Sequence, residues 1–415
     1  MIKGKGRVLA FLLSGLLLTG CGATGAIDDL ATNEGYDMAV ASGQTEADTG
    51  DIQNDGEQND AEQTDGIQNA EKGIAKEDIK VGVLYITDPA DGSGYAYTHA
   101  LGIQGMQDNL GLSDEQIVRK VNVNDGDPDA IRQAIEECVS EGCNIIFTTS
   151  WGYMDPTEEM AEKYPDIYFS HGTGYKSNGK NFNNYFGRIY QARYLSGIVA
   201  GMNTTTNKIG YVAAQDAANS EVTGGIDAFA IGVYEVNPDA QIYVKVTNSW
   251  YDPMAEEEAS KVLLDMGCDV MAQHCDTPYP QTMAQDRGVY GIGYNSDMSK
   301  ETPDSCLCSV IWNWSAYYTA AEQSVIDGSW DGSNYYGGMT EGLVAVTPLA
   351  DFCKEGTQEK VDEATQKILS GACNVFDGEL ETNDGNVIGT EGGTLDDATI
   401  TGGINWYYKN VSVVE

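Results

Sequence analysis

The stretch "VGVLYITDPADGSGYAY" (Val81–Tyr97) joins an apolar run to a polar turn and then to the start of a helix-like segment. Val81–Ile86 reads as a strand. Asp88, Asp91, Gly92 and Gly94 stand where that strand ends, and Tyr95 and Tyr97 follow. The same unit recurs downstream. "THALGIQGMQDNLG", "IVRKVNV", "PDAIRQAIEECVSEG", "NIIFTTS" (Asn144–Ser150), "PTEEMAEKYP" and "IYFSHGTG" alternate helix-like and strand-like patterns. The pattern restarts with "RIYQARYLSGIVAGM" (Arg188–Met202), a helix with Ile189, Ala192, Leu195, Ile198, Val199 and Met202 on one face. Further strands follow in "KIGYVAA", "QIYVKVTNSW", "DVMAQHC", "VYGIGYN" and "LCSVIWN". Helices lie between them, one of them "MAEEEASKVLLDMG" with Gly267 past its end. Such alternation predicts an α/β fold with mainly parallel sheets covered by helices on both faces. Two successive units in 415 residues predict two lobes with a cleft between them.

In open parallel sheets, ligands sit beyond the C-terminal ends of the strands. Five such ends carry aromatic, amide or acidic residues: "YITDPADGSGY", "FTTSWGY", "VTNSWYDP", "AQHCDTP" and "IGYNSDM". Converging on one cleft, they predict a polar and aromatic pocket. The candidate ligand-binding residues are Asp88, Gly94, Tyr95, Ser150, Trp151, Trp250, His274, Asp276, Asn295, Asp297 and Trp312.

Three chemistries compete for the opening stretch. A dinucleotide loop needs Gly-x-Gly-x-x-Gly, and Tyr97 stands where its third glycine belongs. Asp88 and Asp91 would also repel phosphate. Catalysis would need Asp88 and Asp297 to act as an acid/base pair, as in a nucleoside hydrolase. The three histidines, His99, His171 and His274, lie in separate segments, and neither a His-Glu-x-x-His nor a Gly-x-Ser-x-Gly motif occurs. A ring grip fits best. Tyr95, Trp151, Trp250, Tyr251, Trp312 and Trp314 lie at or near strand ends, and carboxylates and amides beside them would take ligand N–H or O–H groups. No catalytic residue, metal ligand or cofactor is assigned.

The formal net charge of −41 argues against nucleic acid as a partner. Lys3, Lys5 and Arg7 precede the apolar "VLAFLLSGLLL" (Val8–Leu18), which is too short to span a bilayer. "LTGC" (Leu18–Cys21) resembles the lipobox of bacterial lipoproteins, which implies a signal peptide over 1–21 and lipid on Cys21. Residues 22–76 read as a disordered acidic linker. Of nine cysteines, lipidation of Cys21 leaves eight. These are either free buried thiols or form one or two disulfides. Cys138 falls on the apolar face of its helix with Ile131, Ala134 and Ile135.

"YITDPADGSGYAYTHALGIQGM", "FGRIYQARYLSGIVAGMNTTTNKIGYVAA", "TNSWYDPMAEEEAS", "AQHCDTP", "VYGIGYNSDMS" and "VIWNWSAYYT" together resemble the BMP (basic membrane protein) or PnrA-like family of ABC-transporter substrate-binding lipoproteins, from about Ile79 to Met339. The resemblance implies a type I periplasmic-binding-protein fold, with two doubly wound parallel-sheet lobes joined by a hinge. It implies three crossings between lobes, near Phe186, Met298 and Gly337. Lobe 1 would then cover 77–187, lobe 2 188–299, a return to lobe 1 300–336, and a return to lobe 2 337–415. It implies a monomer on the extracytoplasmic face of a bacterial cell membrane. This protein would bind a purine nucleoside or nucleobase and deliver it to permease and ATPase subunits that are separate chains.

By the same resemblance Asp88 binds the ligand, Tyr95 stacks on its ring, Ser150 and Trp151 line the pocket, and Asn295 and Asp297 hold ribose or a polar edge. Where the family's nucleoside binders have Phe-Asn, this chain has Tyr95-Ala96. Where they have a glycine-rich turn, it has "HCDTP". The His-containing acidic turn resembles the nucleobase (adenine-like) binders of the family more closely, which favours a purine base over a nucleoside. The alternative readings are a nucleoside-processing hydrolase on a similar cleft, or a sugar or signal receptor on the same fold.

Overall fold

A computed structural model of the chain describes residues 73–415. The chain runs β1 (Val81–Leu84), α1 (Gly94–Leu110), β2 (Ile117–Lys120), α2 (Pro128–Ser140), β3 (Ile145–Thr148), α3 (Met154–Lys163), β4 (Tyr168–Gly172) and β5 (Phe182–Gly187). It continues through α4 (Ile189–Asn203), β6 (Lys208–Ala213), α5 (Ser220–Val236), β7 (Gln241–Val246), α6 (Pro253–Asp265), β8 (Val270–Gln273), α7 (Tyr279–Asp286), β9 (Tyr290–Asn295) and β10 (Cys306–Trp312). Then come α8 (Trp314–Asp327), β11 (Tyr335–Gly337), β12 (Val344–Val346), α9 (Thr357–Leu369), the hairpin β13 (Asp377–Glu381) and β14 (Val387–Thr394), α10 (Asp397–Gly402) and β15 (Val411–Val413).

Two sheets organise these elements. The first has six strands in the order β11-β5-β4-β3-β1-β2, all parallel. The second has seven in the order β12-β10-β9-β8-β6-β7-β15, parallel except for β12. Alternate side chains enter different layers, as strand geometry requires. Val81 and Val83 join one core while Leu84 joins another with Ile131, Ile135 and Cys138. In the second sheet, Val270 and Ala272 face one side and Met271 faces Leu263 on the other. Covering both faces explains why these strands read as unbroken apolar runs. In each sheet the winding reverses beside its first strand, between β1 and β3 and between β6 and β8. Those switch points are where a doubly wound sheet opens a crevice.

Helices α4 and α5 pack closely because glycines face each other's backbone. A Cβ on Gly197 would lie 2.1 Å from the Phe229 carbonyl oxygen, and one on Gly232 would lie 2.1 Å from that of Tyr194. This contact fixes α4, and with it Arg193, against the second sheet.

Three expectations need correction or completion. The second crossing lies at Asn313 and not near Met298. β10 stays in the second sheet, paired with β9 from Cys306 to Ile311, and only then does α8 return to pack on α1 of the first lobe. The boundary of a return segment at residue 300 is therefore displaced to 313. The acidic linker does not reach residue 76: Ile74 donates its N–H to the Val325 carbonyl at 3.2 Å and packs on the core. The remainder of that linker, the signal segment and Cys21 lie outside the described residues. Of the two readings left open for the cysteines, all eight described ones are free thiols, six of them buried.

Candidate ligand site

The site forms where the C-terminal ends of both sheets face each other. Helix α1 starts it from the first lobe. Its N-cap Ser93 makes no side-chain cap bond, so the first-turn N–H groups lack a local acceptor. The Asp276 carboxylate approaches this end from the other lobe. The Asp276 carboxylate, just past β8, accepts from Asn295 Nδ2 at 2.7 Å, and the Tyr95 backbone N–H also favours its charged form. Gly94, at φ +79°, makes this approach possible, because a Cβ there would lie 2.5 Å from the Asp276 carbonyl oxygen. Burial nevertheless pushes the Asp276 carboxyl up to about 7. Glu256 and Glu221 add repulsion against the pull of Asn295 and the Tyr95 N–H. Burial likewise raises Glu221, in the first turn of α5, to about 7, opposed by Arg193.

A column of rings forms the wall beside it. Tyr95 meets His99 edge-on at 4.4 Å, His99 stacks on Trp314 at 4.5 Å, and Trp314 stacks on Trp312 at 4.4 Å. Trp312 closes the second lobe's strand β10 and Trp314 opens the first lobe's helix α8. The stack therefore bridges the crossing at Asn313. Trp312 Nε1 donates to the Tyr294 hydroxyl at 3.4 Å. Burial holds His99 well below its usual pKa, so it is neutral. Its Nδ1 shares a 2.6 Å hydrogen bond with the Tyr318 hydroxyl.

The floor carries a buried cation. Arg193 is fully buried, donates from Nη1 to the Gln273 carbonyl at 2.7 Å, and lies 3.9 Å above the Tyr294 ring. Beside it His274, kept neutral by burial and by Arg193, bonds the Tyr211 hydroxyl through Nδ1 at 2.7 Å. Around this floor and wall several buried polar atoms have no protein partner: Tyr95 Oη, His99 Nε2, Arg193 Nε and Nη2, His274 Nε2 and Asn295 Oδ1. Buried polar atoms are ordinarily satisfied, and leaving one unpaired costs about 1–3 kcal/mol. Such a cluster between aromatic faces suits a planar ligand with both donor and acceptor edges.

Six expected residues therefore come together: Gly94, Tyr95, His274, Asp276, Asn295 and Trp312. Trp250 is adjacent, since its carbonyl accepts the Asp276 N–H at 2.8 Å. Four are placed otherwise. Asp88 is exposed and caps its own turn by accepting the Ala90 N–H at 3.0 Å. Ser150 donates to Asp125 Oδ2 at 2.7 Å. Trp151 is 59% exposed and leans on Tyr175. Asp297 accepts the Ser299 N–H at 2.9 Å within its own loop. Sequence reasoning missed Arg193, Glu221, Tyr294 and the pocket role of His99. A charged residue among the apolar residues of "YQARYLSG" was a usable signal for Arg193. Treating the end of β6 as a sixth strand end would have drawn attention to Glu221.

The sequence pattern of the family described as ABC transporter substrate-binding protein PnrA-like (Bmp) matches residues 79–378. The chain is 37% identical over 337 residues to a purine-binding protein of Brucella abortus, covering 81% of this chain and 94% of that one. It is 33% identical over 302 residues to a Haloferax volcanii protein whose name assigns it to glucose binding in an ABC transporter, covering 73% and 75%. Its fold is similar to that of a solved ABC-transporter solute-binding protein from Conexibacter woesei. The TM-score there is 0.60 at 18% identity, over 71% of this chain and 98% of that one.

Proposed function

Because the chain belongs to the PnrA-like (Bmp) family of ABC-transporter substrate-binding proteins, we propose that it captures a purine base or nucleoside between its lobes and hands it to a membrane permease. The observation that carries this reading is the set of buried polar atoms without a protein partner on Tyr95 and His99 of one lobe and on Arg193, His274 and Asn295 of the other. Base stacking on aromatic side chains is worth roughly 1–3 kcal/mol per base. The polar atoms then read the ring's edges.

Glu221 and Asp276 disfavour phosphorylated ligands, since a buried carboxylate beside a phosphate repels it. The purine-binding name of the Brucella relative supports the same class. Ligand binding draws the lobes together because contacts to both walls exist only in the closed state. The family supplies a transport component, so the ligand leaves unchanged, and the permease and ATPase are separate chains. Among the described residues no helix is long and apolar enough to cross a membrane. Attachment on the extracytoplasmic face falls to lipid on Cys21, in keeping with the "LTGC" motif.

A sugar is the second reading, favoured by the name of the Haloferax relative. One mass-spectrometric experiment addresses both ligand and anchor: purification from a bacterial membrane fraction, with the mass of the co-purified small molecule and of the N-terminal peptide measured. A purine and a lipid-modified Cys21 are expected. A hexose in the cleft, or a free Cys21 thiol in membrane-bound protein, would overturn the corresponding part.

A further inference from the structure

Arg193 is anchored by only one edge of its guanidinium. Nη1 is taken by the Gln273 carbonyl, one face is covered by the Tyr294 ring, and Nε and Nη2 are buried without a protein partner. Those two nitrogens form a rigid fork of parallel donors, which matches two acceptors side by side on one planar edge. Purines differ on this point. A 6-oxopurine presents two adjacent acceptors, O6 and N7, and Arg is the side chain that pairs with them. A 6-aminopurine presents an acceptor and a donor, N7 and N6–H, which suits Asn or Gln.

The neighbouring groups agree. The unpartnered Asn295 Oδ1 and the carboxylates of Glu221 and Asp276 are acceptors for the ring N–H groups that an oxopurine carries. A carboxylate ligand would also fit the fork, but it would bring a negative charge beside those two acids. Resting on the reading of the site as a purine pocket, we infer that Arg193 is its specificity-determining residue and selects 6-oxopurines such as hypoxanthine and guanine over 6-aminopurines such as adenine.

Calorimetric titration of ligand-stripped protein with hypoxanthine, guanine, adenine and glucose tests this. Hypoxanthine and guanine are expected to bind roughly tenfold to a hundredfold more tightly than adenine, the discrimination typical of a bidentate base contact. Arg193→Lys keeps the charge and removes the fork. It should lower hypoxanthine affinity and bring the hypoxanthine-to-adenine ratio towards one, with circular dichroism confirming the fold. If that variant does not fold, wild-type protein with 7-deazahypoxanthine, which lacks the N7 acceptor, replaces it, and a loss of about tenfold is expected. Adenine binding as tightly as hypoxanthine, an unchanged ratio in Arg193→Lys, or equal binding of the deaza analogue would overturn the role of Arg193 while leaving a purine pocket. Binding of glucose without any purine would instead overturn the proposed function.

Discussion

Asp276 performs two tasks with one carboxylate: it takes the Asn295 amide within its own lobe and serves the start of α1 in the other. In this structure burial raises it, together with Glu221, to about 7. Opening of the lobes that exposed both acids to water would return them to the ordinary carboxylate range of about 4. The closed state therefore binds protons more tightly between those values. Closure of the ligand-free protein is favoured at low pH, loses stability as pH rises through that window, and carries the full penalty above about 7. Asn295, the Tyr95 N–H and Arg193 moderate the penalty, and Glu256 increases it. Small-angle scattering of ligand-free protein should show a larger radius of gyration at pH 8.5 than at pH 5.5. Asp276→Asn should reduce that difference. The same radius at both pH values would show that these acids do not control closure.

Helix α1 illustrates what the sequence discloses about elements and what it withholds. Its position after β1 was readable from the apolar run and the Gly-containing turn, and Tyr95 was readable as a wall of the cleft. Its close approach to Asp276 was not, because that residue lies far along the chain in the other lobe. The same reason accounts for Asp88: a carboxylate at a strand end looks like a ligand contact, yet local turn chemistry occupies it with the Ala90 N–H. Strand β10 was legible from "LCSVIW", but its lobe was not, since membership depends on pairing with β9 rather than on local pattern. Arg193 was hidden because a backbone carbonyl and two ring faces, all non-local, make its burial tolerable. At the joint between turn and helix, Gly94→Ala should weaken ligand affinity by roughly tenfold or more. Left-handed backbone costs an L-residue about 1–2 kcal/mol, and the added Cβ would lie 2.5 Å from the Asp276 carbonyl oxygen of the other lobe, opposing closure. Calorimetric titration alongside circular dichroism reads this. Full affinity in a folded variant would mean that α1 and Asp276 need not approach.

The two lobes are not independent bodies, although their sheets are separate. Helix α8 and strand β11 complete the first lobe after the second has been nearly built, and β12, α9 and β15 then return to the second. The Trp312–Trp314 stack couples them at Asn313. Differential scanning calorimetry should therefore show a single unfolding transition, shifted upwards by ligand according to RT ln(1 + [L]/Kd). Two transitions, with only one responding to ligand, would mean that the lobes unfold separately. The pairing of β15 with β7 has a further consequence. Val411–Val413 must find Ile242–Val244, and Tyr408 must give its N–H to the buried Asp227 carboxylate at 2.7 Å. During synthesis the chain thus spends the interval between those segments with an unfinished sheet edge. Until Val411–Val413 pairs there, the β7 edge stays open to strands of other chains, so this short segment shields the sheet against edge-to-edge association.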